Sequence, residues 1–558
     1  MNRLQNELSP YLVRWAEDGV DWYPWGREAL ERAAQEHKPL LISIGTTPVQ
    51  HRMQRGTGTV ARLTERYFIP VQVDGQEYPE VAAFYAQAAA QLAGCGDVPL
   101  AVLADSSGSP FFVSGVLREV ELAGLLSGVA LHWNSDATGY EAVAELMRRQ
   151  LTESQRKTEQ KEELSQLWEG RWLQLQNQYD GEHGGFGTAE KRLQTQDLLF
   201  LLAYGKYTGA RLPVDMAADA LQCMALGAVR DHIGGGFFRG TADAQWLRPI
   251  PEKRLIDQAW LLEAYTRAYR ATGDGLFRRV ATEIADFVIR ELRHAAGGFY
   301  TAQWSESGSY LWTAAQVHEV LGDNDGAVFC CQYSIGDAPT VPHLYNGEAP
   351  EEDSVLLHDC RMKLYRARLE RGGLERDDKV LLGHNGVMIA ALAHAGRVLG
   401  VERYLTAAYR AEVFVRSRLV SSCDLRHYWC HGAAAGDGAL EDFTGYGLGL
   451  LELYRCGCGG EYLRHAAKVM TRADALFSDR DGGGWYLTRS SCHLPARPKQ
   501  LWDEDVPSAW GVGLMALTGL AKEIGYPGLR SRARELMEDA AGTANSCSYA
   551  LAAMMDMI

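Results

Sequence analysis

Four stretches of the chain are dense in side chains that could carry acid–base chemistry. "PIPEKRLID" carries Glu252, Lys253 and Asp257, and "DDKVLLGHNG" carries Asp377, Asp378, Lys379, His384 and Asn385. "LEDF" carries Glu441 and Asp442, and "ARPKQLWDEDVPS" carries Arg497, Lys499, Asp503 and Ser508. Hydrolysis of a glycosidic bond takes two carboxyl groups facing one bond, one of them protonated as the general acid. Epimerisation or isomerisation takes bases that move a proton at a carbon next to a carbonyl, typically histidines or carboxylates. Glu252, Asp257 and Asp442 are the expected carboxylates, His384 the expected base, and Arg497 the expected clamp on an anionic or hydroxyl-rich ligand. Lys253, Trp246, Asp378, Lys379, Asn385, Glu441 and Lys499 are the expected substrate contacts: sugar hydroxyls meet charged side chains, and flat sugar faces stack on aromatic rings.

Each of these residues also has a structural reading. Glu252 and Lys253 could form an ion pair at a helix start, and His384 could be a hydrogen-bonded packing residue. Glu441 and Asp442 open a helix, where the dipole stabilises acids that have no catalytic role. Cysteine and histidine come closest to a cluster in "HYWCH" (His427, Cys430, His431), with Cys456 and Cys458 downstream and Cys423 just before. These are ligand types that zinc accepts, but Cys456-x-Cys458 is tighter than the usual pair, so buried unligated thiols are expected and no metal or other cofactor is.

The elements that must position these residues come from a chain of 558 residues, roughly two to four domains' worth. With 46% hydrophobic and 23% charged residues it has a globular composition. The formal net charge of -15 argues against a general nucleic-acid or anionic-membrane surface. No apolar run of about 18 residues predicts a membrane span, and "MNRLQNELSPYLVRW" lacks the apolar stretch of a secretory signal. A cytoplasmic protein binding neither nucleic acid nor membrane is expected. Eleven cysteines in so long a chain do not make a disulfide framework.

In residues 1–135 the patterning predicts helix, strand, helix, strand, helix, hairpin, helix. "DWYPWGREALERAAQEHK" has helical spacing; "PLLISI" and "YFIPVQV" read as buried strands; "PEVAAFYAQAAAQL" opens with a helix-starting proline. "PLAVLA" and "PFFVSG" flank the turn "DSSGS", and a last helix covers roughly 117–130. That order gives an α/β layer fold of thioredoxin type, with Pro99 at the start of the third strand, where such folds carry a cis proline. Residues 136–180, including "TESQRKTEQKEELSQLWEGRW", read as a charged connecting helical segment. Beyond it, glycine–aromatic punctuation recurs in "DGEHGGFG", "IGGGFFRG", "AAGGFYTA" and "DGGGWYLT" between long amphipathic helix pairs. Repeated helix pairs with short glycine-turned hairpins at one rim predict an all-α (α/α)6 toroid over 181–558.

The segments "NRLQNELSPYL", "VDWYPWGREAL", "KPLLISIG", "YFIPVQVD" and "VPLAVLADSSGSPFF" resemble the thioredoxin-domain family that includes spermatogenesis-associated protein 20 and bacterial relatives. The resemblance continues through "GGGFFRGTADAQWLRPIPEKRLIDQA", "DDKVLLGHNGVMIAALA", "LEDFTGYGLGLLELY" and "RPKQLWDEDVPSAWGVG". It implies a second half similar to six-hairpin glycosidases and N-acylglucosamine 2-epimerases. The family places Cys-His-Trp-Cys-His after the "SIG" strand. Here the turn reads "TTPVQHRM", which puts Thr47 and Gln50 in the sulfur positions beside His51 and Met53. A hydroxyl and an amide can neither attack nor resolve a disulfide, so the first domain is expected to be redox-dead. Cys95 in "LAGCGDVP" is the only sulfur nearby, and a reductase relying on it is the third-ranked expectation.

The resemblance also marks departures. Ile250 stands where the family has histidine, His384 where it has tryptophan, and of the acidic cluster after "GGFY" only Glu306 is left. The leading expectation is a redox-inactive thioredoxin-like domain fused to a toroid that binds and processes a carbohydrate-like small molecule. The competing one is a catalytically inactive scaffold that docks a protein partner, through the thioredoxin-like domain for instance.

Overall fold

The computed structural model describes residues 2–47, 58–94, 96, 98–154, 164–344, 355–422, 424–489, 493–540 and 547–555. They fall into two compact units: Met1–Thr158 with Arg426–Leu440 and Ala473–Gln500, and Glu159–Leu425 with Glu441–Arg472 and Leu501–Ile558.

The first unit is built on a five-stranded sheet of order β1-β3-β2-β4-β5. Its strands are β1 (Tyr23–Pro24), β2 (Leu40–Gly45), β3 (Ile69–Asp74), β4 (Leu100–Ala104) and β5 (Pro110–Ser114). β1, β3 and β2 are parallel, and β4 and β5 are antiparallel. Every residue of β2 and β3 is buried, which is what near-continuous apolar runs covered on both faces require. The covering helices are α1 (Pro10–Trp15), α2 (Arg27–Glu36), α3 (Thr59–Tyr67), α4 (Pro79–Ala93) and α5 (Glu119–Ser154). Alternation along the strands sorts them: Leu40, Ile42 and Ile44 pack with Ala29, Ala33, Phe84 and Ala88 of α2 and α4. Leu41 and Leu103 pack on the other face with Leu12, Val60 and Leu126 of α1, α3 and α5. The Val98–Pro99 peptide is cis. This is the thioredoxin-type layer fold expected from the sequence.

Two boundaries differ from the sequence reading. α5 runs through residue 135 to Ser154, so the last helix of the sheet unit and the first part of the connecting segment are one element. Local polarity around "WNSDATG" predicts a break, but Trp133 and Tyr140 pack on Phe111 at ring separations of 5.7 and 5.0 Å and carry the helix across it. Two late segments also belong to this unit rather than to the toroid. A hairpin of Asp424–Cys430 and Ala433–Asp437 presents His427, whose Nε2 donates to the Gln76 carbonyl at 2.7 Å. The Lys499 carbonyl accepts from Gln87 Nε2 at 2.8 Å.

The second unit is the toroid. In chain order its helices are α6 (Leu164–Gln178), α7 (Thr195–Thr208), α8 (Arg211–Leu226), α9 (Leu255–Thr272), α10 (Gly275–Phe287), α11 (Ala314–Leu321), α12 (Asp323–Gln332), α13 (Val355–Arg371), α14 (Leu382–Leu399), α15 (Glu402–Leu419), α16 (Leu440–Arg455), α17 (Gly460–Phe477), α18 (Ala509–Ile524), α19 (Pro527–Ala540) and α20 (Ser548–Met555). α7, α9, α14, α16, α18 and α20 form the inner ring; α6, α8, α10, α15, α17 and α19 lie outside it. α11, α12 and α13 are an insertion with its own apolar cluster around Val317, Phe329 and Leu364.

Inner helices are apolar on nearly every side because they are enclosed by neighbours: from Leu382 to His394 of α14, every residue except His384 is buried. α14 and α16 cross at Gly383, Gly386, Gly445 and Gly449, where backbone touches backbone and a Cβ would collide. The ring closes between its first and last helices. Arg171 of α6 pairs with Asp197 of α7 and donates to Ser548 of α20 at 2.7 Å. Asp503 accepts the backbone N–H groups of Ser508 and Tyr549 at 2.8 and 2.9 Å. Among the described residues no helix is long and apolar enough to cross a membrane.

Candidate functional site

The glycine–aromatic repeats do form hairpins. Each closes as an antiparallel bridge after an outer helix: Tyr179 with Phe186, Arg230 with Phe237, Arg293 with Phe299, and Ser478 with Trp485. Three of them share a polar staple. The first carboxylate oxygen of Asp180, Asp231 or Asp479 accepts two backbone N–H groups of its own turn. The second takes a buried lysine: Lys191 at 2.7 Å, Lys253 at 2.6 Å and Lys499 at 2.7 Å. Each lysine also donates to a glycine carbonyl of the same turn, at Gly184, Gly235 or Gly483. In the fourth hairpin His294 replaces the aspartate and accepts from Ala296 N at 3.0 Å. Burial pulls the Lys253 ammonium down to about 8 against the opposing pull of Asp231. Burial would raise Asp231, but Arg368 and Lys253 outweigh it and hold that carboxyl well below its usual range.

Lys253 and Lys499 are therefore turn staples in this structure. Asn385 fastens a hairpin as well, since its amide donates to Phe299 O at 2.9 Å and accepts from Phe299 N at 2.8 Å, as Gln258 does with Phe237. Trp246 is buried with Nε1 donating to His183 O at 3.1 Å. Asp378 pairs with Arg376 at 2.5 Å, and Lys379 pairs with Asp377 at 2.9 Å. Arg497 lies in the first unit, where it donates to the carbonyls of Thr488 and Leu476 and sits 4.1 Å over the Tyr486 ring. Ser508 caps α18.

The expected catalytic groups gather at one end of the ring, at the N-terminal ends of α9, α14 and α16. Asp257 is held by both arms of Arg254, each at 2.7 Å. Asp442 accepts from Gly383 N at 2.9 Å, and Glu441 stands beside it in the first turn of α16. His384 lies at the third residue of α14. Glu252 is 1% exposed and meets Arg239 at 3.2 Å through one oxygen. Its other oxygen has no hydrogen-bond partner among the described residues, and burial pushes its carboxyl up. Asp505 draws Arg192, Arg239 and Arg254 to 3.1, 3.5 and 3.8 Å.

At the turn after β2, Thr47 is buried and its hydroxyl has no hydrogen-bond partner among the described residues. Gln50, His51, Met53, Cys95 and Cys423 lie outside the described residues. Cys430 donates to Leu8 O at 3.4 Å and Cys456 to Ala393 O at 3.2 Å.

The opposite end of the ring has room for a ligand. A hollow of about 780 Å³ opens among the C-terminal halves of α7, α9, α14 and α16. Its wall carries Glu263 of α9 and His394 of α14, both buried. Glu263 meets His394 Nδ1 at 2.8 Å and Arg267 Nε at 2.6 Å. Burial alone would raise the Glu263 carboxyl, but the imidazole and the guanidinium outweigh it and hold it well below the ordinary range. An ionised carboxylate only accepts, so Nδ1 is the donor in this bond and Nε2 is the ring nitrogen that Glu263 does not engage. None of Glu252, Asp257, His384 or Asp442 lines this hollow.

A family model described as "Thioredox_DsbH: Protein of unknown function, DUF255" matches residues 1–152. Spermatogenesis-associated protein 20 of Rattus norvegicus is 31% identical, over 93% of this chain and 76% of the relative. The chain belongs to the spermatogenesis-associated protein 20 family. The family member of Homo sapiens is 30% identical over 91% of this chain and 74% of its own length. A Caenorhabditis elegans relative, "Uncharacterized protein B0495.5", is 24% identical over 99% of this chain and 85% of its own. Among solved structures, a D-mannose isomerase aligns with TM-score 0.47 and 12% identity over 68% of this chain and 86% of that one. The GH76 alpha-mannanase BT2949 of Bacteroides thetaiotaomicron aligns with TM-score 0.47 and 9% identity over 71% and 95%.

The motifs that suggest chemistry in the sequence do not include Glu263 or His394. A signal for them exists: each is an ionisable residue in an otherwise apolar inner-helix run, "AWLLEAY" and "IAALAHAG". A charge inside a stretch that is apolar all round has to find a partner or a ligand.

Proposed function

We propose that the toroid binds a carbohydrate-like small molecule in the hollow at the C-terminal ends of its inner helices and moves a proton on it. The observation that supports this reading is the Glu263 and His394 pair on the hollow's wall, an imidazole oriented by an ionised carboxylate. His394 Nε2 would take a proton from a carbon next to the substrate carbonyl, Glu263 would stabilise the imidazolium, and a guanidinium of the wall would face the developing enolate oxygen. Epimerisation or isomerisation suits this set better than glycoside hydrolysis. Hydrolysis wants one carboxyl protonated, whereas Glu263 is held ionised and Glu452, the other glutamate of the wall, is paired with Arg455 at 2.6 Å.

On this reading the first unit contributes no thiol–disulfide exchange, because Thr47 stands in a sulfur position, and its surface serves to dock a protein partner. Eleven cysteines in so long a chain, too sparse for a disulfide framework, suit a reducing, cytoplasmic setting. One observation favours the inactive-scaffold alternative: Asp257 and Asp442, at the end of the ring where the sequence points, are engaged by Arg254 and by a backbone N–H.

The test is solvent exchange. Aldoses and ketoses incubated with the full chain in D₂O should gain deuterium at the carbon next to the carbonyl, read by NMR, and His394→Asn should abolish the gain. No exchange with any sugar, or unchanged exchange in His394→Asn, overturns the acid–base reading.

A further inference from the structure

The hollow adjoins a second one of about 630 Å³ that reaches α18. Four residues line both: Lys206, Arg270, Arg397 and Arg455. All four are cations, and they come from four different inner helices, α7, α9, α14 and α16. We infer that these four residues form a collar that binds a multiply charged oxyanion, so that the ligand of the toroid is a phosphorylated sugar rather than a neutral one. The inference rests on the reading of the hollow as a ligand site, but the collar can be tested without any sugar.

The alternative explanation for these cations is simple. Helix C-termini carry partial negative charge, and basic residues in the last turn are favourable there for that reason alone. Two features go beyond it. A last-turn cation needs only its own helix, whereas these four border the same two hollows. Carboxylates nearby also compensate the arginines among them incompletely. Arg455 is matched by Glu452 at 2.6 Å and Glu523 at 3.1 Å, while Arg397 is 3.8 Å from the same Glu452. Arg270 makes no ion pair among the described residues. Like charges brought to one boundary repel unless an anion sits between them, and guanidinium groups match phosphate oxygens in bidentate geometry. Lys206, Arg270 and Arg397 are exposed at the mouth, whereas the Glu263 and His394 pair is buried. A phosphate at the collar would leave the sugar carbons extending toward the base.

The probes are inorganic phosphate, a sugar phosphate and its parent sugar, titrated calorimetrically into the full chain. Phosphate should bind wild type, more weakly as NaCl rises. The sugar phosphate should bind at least ten-fold more tightly than the parent sugar. Arg270→Ala should weaken phosphate about ten-fold, and Arg270→Ala with Arg397→Ala should abolish its binding. Arg418→Ala, an exposed arginine on α15 outside both hollows, should bind phosphate as wild type does. Circular dichroism melting checks that the collar variants stay folded. No phosphate binding by wild type, or equal binding by the double variant, overturns the collar. If phosphate binds and no sugar phosphate does, the collar stands and the carbohydrate reading falls.

Discussion

The two ends of the toroid's inner ring are built from the same helices and hold their charges differently. At the N-terminal end, acids meet backbone N–H groups, arginines and a lysine. Asp257 has both arms of Arg254, Asp442 has Gly383 N, and Asp231 has two turn N–H groups, Lys253 and Arg368. At the C-terminal end a hollow remains, with Glu263 and His394 on its wall and cations around its mouth. The lesson concerns where chemistry-rich sequence belongs. Motifs dense in Asp, Lys, Asn and Gly mark the end of the ring that carries the hairpins, because irregular backbone has to satisfy its polar groups. The end with the hollow is written in helix interiors, where one Glu or His among apolar neighbours is the entire signal.

The comparison breaks first at the staples. Asp231→Ala leaves Lys253 and Arg368 buried with no anion between them. It should cost about 3–5 kcal/mol, the usual result of removing one partner of a buried pair. Urea unfolding measures it, and a loss under about 1 kcal/mol would mean the staple is dispensable.

Asp503 should make the ring closure sensitive to pH. Burial raises its carboxyl to about 6, partly offset by the N–H groups of Ser508 and Tyr549. Between the ordinary value and about 6, the unfolded chain has released the proton and the folded chain still holds it. Stability from this group therefore falls as pH rises through that window, by about 2–3 kcal/mol in all. Chemical unfolding of wild type and Asp503→Asn from pH 4 to 7 reads the difference. A difference that stays flat or grows with the opposite sign removes Asp503 from the account.

Gly386→Ala tests whether the α14–α16 crossing is as close as it looks. A Cβ there meets the Gly445 backbone, and overpacking of this kind costs about 1–3 kcal/mol. A melting temperature equal to wild type would show that the helices can separate.

The smallest stability effect is expected at the collar. Arg270→Ala changes an exposed side chain with no ion pair among the described residues and should stay within about 0.5 kcal/mol of wild type. A large loss in the melt would make Arg270 a structural residue and blur the contrast between the two ends.

Much of the architecture is legible in the sequence because it rests on local rules. Short apolar runs in "PLLISI" and "FIPVQV" mark the sheet, and glycines with positive φ mark the hairpins, as Gly235 and Gly236 do at 78° and 73°. The extent of α5 is not legible. Trp133 and Tyr140 meet Phe111 across more than twenty residues, and that packing overrules a polar stretch. The assignment of 426–440 and 473–500 to the first unit is hidden for the same reason, since contacts such as Gln87 to Lys499 O join distant parts of the chain.

Side-chain roles divide along the same line. By itself the sequence determined the family, the thioredoxin-like layer and the ring of helix pairs. Those follow from residue identity and from periods of a few residues. Only the tertiary structure decided which charges are spent and which face open space. Lys253 finds Asp231 across 22 residues, and Glu263 finds His394 across 131. Desolvation and pairing depend on distances that exist only once the ring has closed, and a hollow belongs to the closed ring and to no stretch of sequence.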